Sequence, residues 1–177
     1  MRLARAVAAM LFAGLVGVEA SSYAQTAEEV VKAQFVYRFT SFAQWPAQAF
    51  QSPQSPIVLC VVGDDRFAGT LSRAAAGQRI GGRTFEVRRV RADQARRYHV
   101  VYAAGFSASD TLRSARGAPV LTITDAASGD DRGIIHFVVI DNRVRFHIDE
   151  ASAAEANLVL DSRLLGLALS VRRRAGP

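Results

Sequence analysis

Helical and strand-like hydrophobic patterns alternate along this chain, and the switches between them mark its elements. Residues 32–46, KAQFVYRFTSFAQWP, carry Phe35, Phe39 and Phe42 at i, i+4 and i+7, with Val31 one turn earlier. That spacing predicts an amphipathic helix with the stripe Val31, Phe35, Phe39 and Phe42 facing the core. Thr26 or Glu28-Glu29 opens the helix, since a threonine cap and first-turn acids suit its positive end. It runs to about Ala43 and stops at Pro46, because the residue before a proline is pushed out of helical backbone angles. Residues 57–62, IVLCVV, are a continuous apolar run of strand length, the pattern of a strand buried on both faces. Gly63 ends it, and Asp64 caps a helix over 66–76.

Ile80-Gly81-Gly82-Arg83 reads as a two-residue hairpin turn leading into a strand over 84–90, with Phe85 and Val87 inward. A polar helical turn at 93–97, a strand at 99–103 and a helix from Ser109 or Asp110 to Arg116 follow, then a strand at 120–124. Segments 134–140 and 143–148 flank Asp141-Asn142, a second two-residue turn. This register sets Val139 opposite Val144, Phe137 opposite Phe146 and Ile135 opposite Ile148 on an apolar face. The other face pairs Ile140 with Arg143, Val138 with Arg145 and His136 with His147. A short helix at 150–155, a strand at 158–160 and a helix over 163–172 complete the chain. The expected fold is a single α/β domain: a mixed, mostly parallel β-sheet with helices on both faces and one antiparallel hairpin.

The first 24 residues fall outside that domain. Arg2 and Arg5 precede an apolar run at 6–18, and Ser22-Tyr23-Ala24 offers small residues for a peptidase. The run is shorter than the ~20 residues that span a bilayer. A signal peptide over 1–24, cleaved before Gln25, is therefore expected rather than an anchor, leaving one domain over 25–177 in an exported protein. Removing Arg2, Arg5 and Glu19 lowers the net charge from +6 to +5. Lys32 is the only lysine, and the arginines lie scattered along the chain rather than in an aromatic-lined groove. This argues against nucleic acid and for an acidic protein or anionic lipid headgroups as partner. The single cysteine, Cys60, has no internal disulfide partner and sits mid-strand, so a buried free thiol is expected, with intermolecular pairing as the alternative.

Candidate chemistry is sparse. The strand–Gly–helix unit at 57–76 has neither a dinucleotide nor a phosphate-loop motif, and Asp64 and Asp65 would repel a phosphate. Gly105-Phe106-Ser107-Ala108-Ser109 approaches a nucleophile elbow, with Asp125 or Asp141 and His136 or His147 downstream, but its last glycine is Ser109. A small secreted serine hydrolase using Ser107 is thus one reading. His136 and His147 would stand about 5 Å apart across the hairpin. That suits zinc or copper only with Asp149 or a third outside ligand, and no clear third ligand lies on the same face. No cofactor is expected.

Three stretches together resemble the YfiR-like periplasmic regulator family: KAQFVYRFTSFAQWP; IVLCVVGDDRFAGTL with GGRTFEVRRV; and GIIHFVVIDNRVRFHIDEASAAEANLVLDSRLLGLA. The match spans residues 31–169. The resemblance implies a non-enzymatic periplasmic α/β protein, often a homodimer, that restrains an inner-membrane diguanylate cyclase through that enzyme's periplasmic sensor region. An OmpA-like outer-membrane lipoprotein would relieve the restraint, coupling envelope state to cyclic-di-GMP and biofilm formation. Partner contact is expected at Tyr37, Arg38 and Trp45 near the end of the first helix, and at Arg163 and Leu164 near the C-terminal helix. The family's second cysteine is replaced here near Tyr98 and His99, which puts disulfide control in doubt. Gly166 stands where a larger residue is usual. The main alternative is a periplasmic small-ligand-binding module serving a transporter or sensor.

Overall fold

The computed structural model describes residues 16–174, with side chains placed from Ala27 onward. Arg2, Arg5 and most of the apolar run expected to be a leader lie outside the described residues, and residues 16–24 open the first helix. No described helix is long and apolar enough to cross a membrane. The helices are α1 (Val16–Phe39), α2 (Asp65–Ala75), α3 (Ala108–Ala115), α4 (Glu150–Glu155) and α5 (Ser162–Leu167). The strands are β1 (Ala43–Gln44), β2 (Ile57–Val62), β3 (Arg79–Ile80), β4 (Arg83–Arg89), β5 (Val100–Ala103), β6 (Leu121–Asp125), β7 (Ile135–Ile140), β8 (Arg143–Asp149), β9 (Val159–Leu160) and β10 (Ser170–Arg172).

Eight strands form one sheet in the order β10-β8-β7-β6-β5-β2-β4-β3. β4, β2, β5, β6 and β7 run parallel to one another. β3 and β8 run antiparallel to β4 and β7, and β10 runs parallel to β8. This is the mixed, mostly parallel sheet expected. β2 is buried on both faces: Leu59 and Val61 join the main core, while Cys60 and Val62 join a smaller cluster on the other side. The main core places α1 and α2, through Val36, Phe39, Phe67 and Leu71, over the middle of the sheet. The smaller cluster packs α3 and a 3-10 turn (Ala92–Arg97) against the opposite face through Ala95, Ala115 and Val101.

The hairpin forms in the register read from the sequence, with Ile135, Phe137 and Val139 opposite Ile148, Phe146 and Val144. Its turn residues Asp141 and Asn142 both have positive φ, the geometry that matches the twist of the strands. The apolar face is core only at the base: Ile135, Phe137, Phe146 and Ile148 are buried, whereas Val139 is exposed. Asp64 caps α2 by accepting the Phe67 N–H at 2.8 Å.

Four expectations change. α1 turns its face by one position: Lys32, Ala33, Val36, Tyr37 and Phe39 are buried, while Val31 is 40% exposed. Lys32 is drawn inward because its Nζ donates to Asp125 Oδ2 at 2.8 Å and pairs with Glu28 Oε1 at 2.6 Å. α1 also ends before Pro46. A 3-10 turn (Thr40–Phe42) follows Phe39, and the Thr40 and Ser41 hydroxyls donate to the carbonyls of Tyr37 and Arg38. α3 begins at Ala108 from a 3-10 turn, so neither Ser109 nor Asp110 caps it. The C-terminal helix over 163–172 is only the six-residue α5, and Ser170–Arg172 form β10. Gly166 weakens helix propagation by roughly 1 kcal/mol. The Leu169 N–H then donates to Phe146 O at 2.9 Å, starting a ladder that covers the free edge of β8.

Burial alone would lower the pKa of Lys32, but its bonds to Asp125 and Glu28 outweigh burial and raise it. Asp125 is likewise pushed up by burial, yet the Lys32 and Tyr102 hydrogen bonds bring it below the ordinary carboxylate value. Lys32→Met leaves the Asp125 carboxylate buried without its cation, and the expected loss is roughly 3–5 kcal/mol in denaturant unfolding. A near-neutral result would mean that water replaces the ammonium. Two glycines give a second test. Gly77 (φ +71) has open space, so Gly77→Ala should cost roughly 1–2 kcal/mol from left-handed backbone alone. At Gly63 (φ +82) an added Cβ would lie 2.4 Å from Ser107 Oγ and 2.8 Å from Ala104 O, so Gly63→Ala should cost more. Equal losses would show that the β5–α3 loop yields freely.

Candidate functional site

The exposed apolar surface that the chain builds most deliberately is a two-stranded ribbon beside the main sheet. After the Thr40–Phe42 turn the backbone extends, and β1 pairs antiparallel with β9, Ala43 opposite Leu160 and Gln44 opposite Val159. Alternation sends Ala43 and Leu160 inward and leaves Gln44 and Val159 outward, with Val159 61% exposed. The Asp161 N–H donates to Phe42 O at 2.8 Å and joins the ribbon to α5. Asp161 caps α5 by accepting the Arg163 N–H at 2.8 Å, and it also accepts two bonds from the Arg163 guanidinium. These bonds hold the Asp161 carboxyl down to about 2. Arg163 is thereby fixed with its guanidinium 5.7 Å from the ring centre of half-buried Phe42. One turn later on the same helix face Leu167 is 60% exposed, while Leu164 and Leu165 point into the core.

The chain leaving the ribbon carries Trp45 and a loop, 45–56, clamped from below by His99. The Val58 N–H donates to His99 Nδ1 at 3.0 Å, so that nitrogen carries no proton and Nε2–H donates to Ala49 O at 3.0 Å. Phe50 stacks on the imidazole at 4.4 Å, and the Arg83 guanidinium covers the other side of Phe50 at 3.8 Å. Arg83 also donates to the carbonyls of Ser52 and Ser55. Trp45 meets Phe50 and His99 edge-on, and its buried Nε1–H has no partner among the described residues. Burial, aided by the Arg83 cation, holds the His99 pKa below its ordinary 6.5 against the pull of its bond to Ala49.

Of the five residues expected to meet a partner, the structure buries two. Tyr37 is 7% exposed and packs edge-on against Phe85, and Leu164 is 1% exposed. Both are core side chains, because α1 packs on α2 as well as the sheet and because the inward face of α5 runs through positions 164 and 165. Arg38 is exposed and donates to Tyr37 Oη at 3.2 Å. Among the described residues no hydrogen bond, ion pair or ring contact joins it to Trp45 or Arg163. Val159 and Leu167 were missed by sequence reasoning. The signal available for them was a Val-Leu alternation only two residues long and a helix too short to show a period.

The other candidates do not assemble. Ser107 Oγ donates to Ala104 O at 2.7 Å. Asp125 is bonded to Lys32 and Tyr102, His136 Nδ1 shares a hydrogen bond with the Thr124 hydroxyl at 2.9 Å, and His147 Nδ1 meets Ser170 Oγ at 2.7 Å. No acid or imidazole among the described residues contacts Ser107, so the hydrolase arrangement is absent there. His136 and His147 do stand opposite each other, but no group of three metal-ligating side chains is found among the described residues. Cys60 is buried beside Val101, and burial pushes its thiol up to about 12, so it stays protonated and inert near neutral pH.

The His99 clamp has a worked-out pH dependence. Its folded pKa lies below the unfolded value, so its contribution is complete above about pH 6.5 and declines as the pH falls from there toward the folded value. Trp45, the only tryptophan, reports the loop directly. Its emission should move to longer wavelength between neutral and mildly acid pH in the wild type and stay flat in His99→Gln. The same shift in both proteins would assign it to another group.

Comparison with curated proteins finds no match to the chain. The sequence profile of the YfiR/HmsC-like family matches residues 29–169, which run from the fourth turn of α1 to the start of the β10 ladder and include the whole ribbon. With most of its length covered, the chain belongs to the YfiR/HmsC-like family, a family of periplasmic regulatory proteins that in general act on partner proteins and not as catalysts.

Proposed function

We propose that this protein is an exported regulator that restrains a membrane-bound signalling protein, a diguanylate cyclase, by binding its periplasmic sensor region through the ribbon and α5. The observation that carries this reading is the surface itself. Half-buried Phe42 and Trp45 lie at the two ends of β1, exposed Val159 and Leu167 supply apolar area, and Arg163 is held in place at the rim. Aromatic anchors with a fixed arginine are the composition of an interface centre. Arg38, exposed and held by Tyr37, contributes charge that steers an acidic partner. The capture of the regulator by an OmpA-like outer-membrane lipoprotein, and a homodimeric resting state, belong to the same proposal and are inherited from the family resemblance.

A specific observation keeps the ligand-binding reading second. A cavity of about 340 Å³ lies beside the carboxyl ends of β2, β5 and β6, the place where open α/β sheets hold ligands. Its polar groups Lys32, Asp125 and Tyr102 already satisfy one another. A metabolite would have to displace that network, so a thermal-shift screen should find no strong stabiliser if the regulator reading holds.

The direct test is affinity capture from solubilised inner membranes. Wild type should recover a cyclase with a periplasmic sensor, and Val159→Arg and Leu167→Asp, both surface changes, should each lose it by tenfold or more, roughly 1.4 kcal/mol. Trp45→Ala should lose it as well, at matched folding. Recovery of no cyclase removes the partner, and equal recovery by the surface variants removes the site.

A further inference from the structure

A second surface lies on the other face of the sheet and is built from charge alone. The Ala92–Arg97 turn and α3 pack against each other over the smaller apolar cluster, and a groove of about 650 Å³ runs between them. Four arginines line it: Arg91 and Arg96 from the turn, Arg113 and Arg116 from the end of α3. Two are paired, Arg91 with Asp93 at 3.2 Å and Arg113 with Asp110 at 2.8 Å. Arg96 and Arg116 form no ion pair or side-chain hydrogen bond among the described residues, which leaves the groove two positive charges in excess. Arg113 and Arg116 each suit the carbonyl end of α3. That accounts for their place on the helix but not for the convergence of a separate element's arginines on the same groove.

The chemistry of the groove selects its occupant. Among the described residues the exposed large apolar side chains, Phe106, Val159 and Leu167 foremost, are all absent from its lining. A protein partner would need buried aromatic or aliphatic anchors to hold it, and the groove has none. Planar guanidinium forks over small residues such as Ala92 and Ser114 fit phosphate oxygens, two bonds at a time. We infer that the groove between the Ala92–Arg97 turn and α3 is a docking surface for the phosphate headgroups of an anionic phospholipid bilayer. The ribbon and α1 occupy other parts of the molecule, so membrane contact through this face leaves the proposed regulatory surface free. The inference stands whether or not the partner of the ribbon is a cyclase.

Vesicle co-sedimentation of the purified protein tests it. Wild type should bind vesicles containing phosphatidylglycerol, release them at high salt and ignore vesicles of phosphatidylcholine alone. The double variant Arg96→Glu/Arg116→Glu should bind roughly thirtyfold more weakly, or worse. Arg143→Glu/Arg145→Glu makes the same change in net charge on the hairpin, at exposed positions, and should keep most of the binding. Thermal unfolding confirms that both variants are folded. Equal losses in the two variants would reduce the effect to net charge and overturn the groove. So would binding to phosphatidylcholine equal to that for phosphatidylglycerol, or no binding by the wild type at low salt.

Discussion

The buried ammonium of Lys32 is the contact on which the rest of the arrangement depends. It sits between Glu28 on its own helix and Asp125 at the end of β6, and Tyr102 from β5 donates to the same carboxylate at 2.6 Å. Helix α1 is thus tied to two central strands at one fixed rotation. That rotation puts Ala33 and Val36 on the sheet, packs Phe35 and Phe39 against Phe137 and Phe146, and delivers Phe42 to the edge where β1 must begin. A chain that otherwise uses arginine for every cation uses its single lysine here. The physical reason is size: a compact ammonium fits between a helix and a sheet, whereas a guanidinium needs a planar slot and more donors satisfied.

The hairpin was fully legible because its signal is doubly determined. Two-residue turn chemistry fixes the length, and strict alternation fixes the face, so a slip by one residue would bury Arg145 and expose Phe146. The double burial of β2, the Asp64 cap and the inert thiol follow from equally local rules. The end of the chain was not legible. Leu164, Leu165, Leu167 and Leu169 satisfy a helical stripe, and only the uncovered edge of β8 decides that Val171 and its neighbours join a strand. Tyr37 failed for a related reason. The width of the buried arc on α1 depends on α2 packing beside it, and a single helix's periodicity cannot report a neighbour that arrives thirty residues later.

The candidate site was legible by region and not by residue. Trp45 and Arg163, two of the residues expected to meet a partner, do lie at the ribbon and at the start of α5. Their arrangement depends on the β1–β9 pairing, which joins segments more than a hundred residues apart and is only two residues long. A ribbon that short cannot be stable alone and forms because both flanks are already pinned, by the end of α1 on one side and by the Asp161 cap on the other. The surface is therefore a consequence of the core: its geometry is inherited from α1, and so finally from Lys32.

Trp45 is where that rigidity is least complete. Its indole N–H is buried without an acceptor among the described residues, a defect of roughly 1–3 kcal/mol that no other buried side-chain polar atom described there shares. The loop it begins is retained by a neutral imidazole bridging Val58 and Ala49, and by Phe50 held between that imidazole and Arg83. Residues outside the loop, His99 and Arg83, make these contacts, and the loop adds its own Trp45–Phe50 ring contact and the bonds between Ser52 and Ser55. Loosening the loop would withdraw Trp45 and Phe50 from the edge of the main core, while it frees an unpaired donor to find an acceptor. A partner that supplied such an acceptor would gain that defect's free energy on binding, and the loop lies beside the surface proposed for recognition.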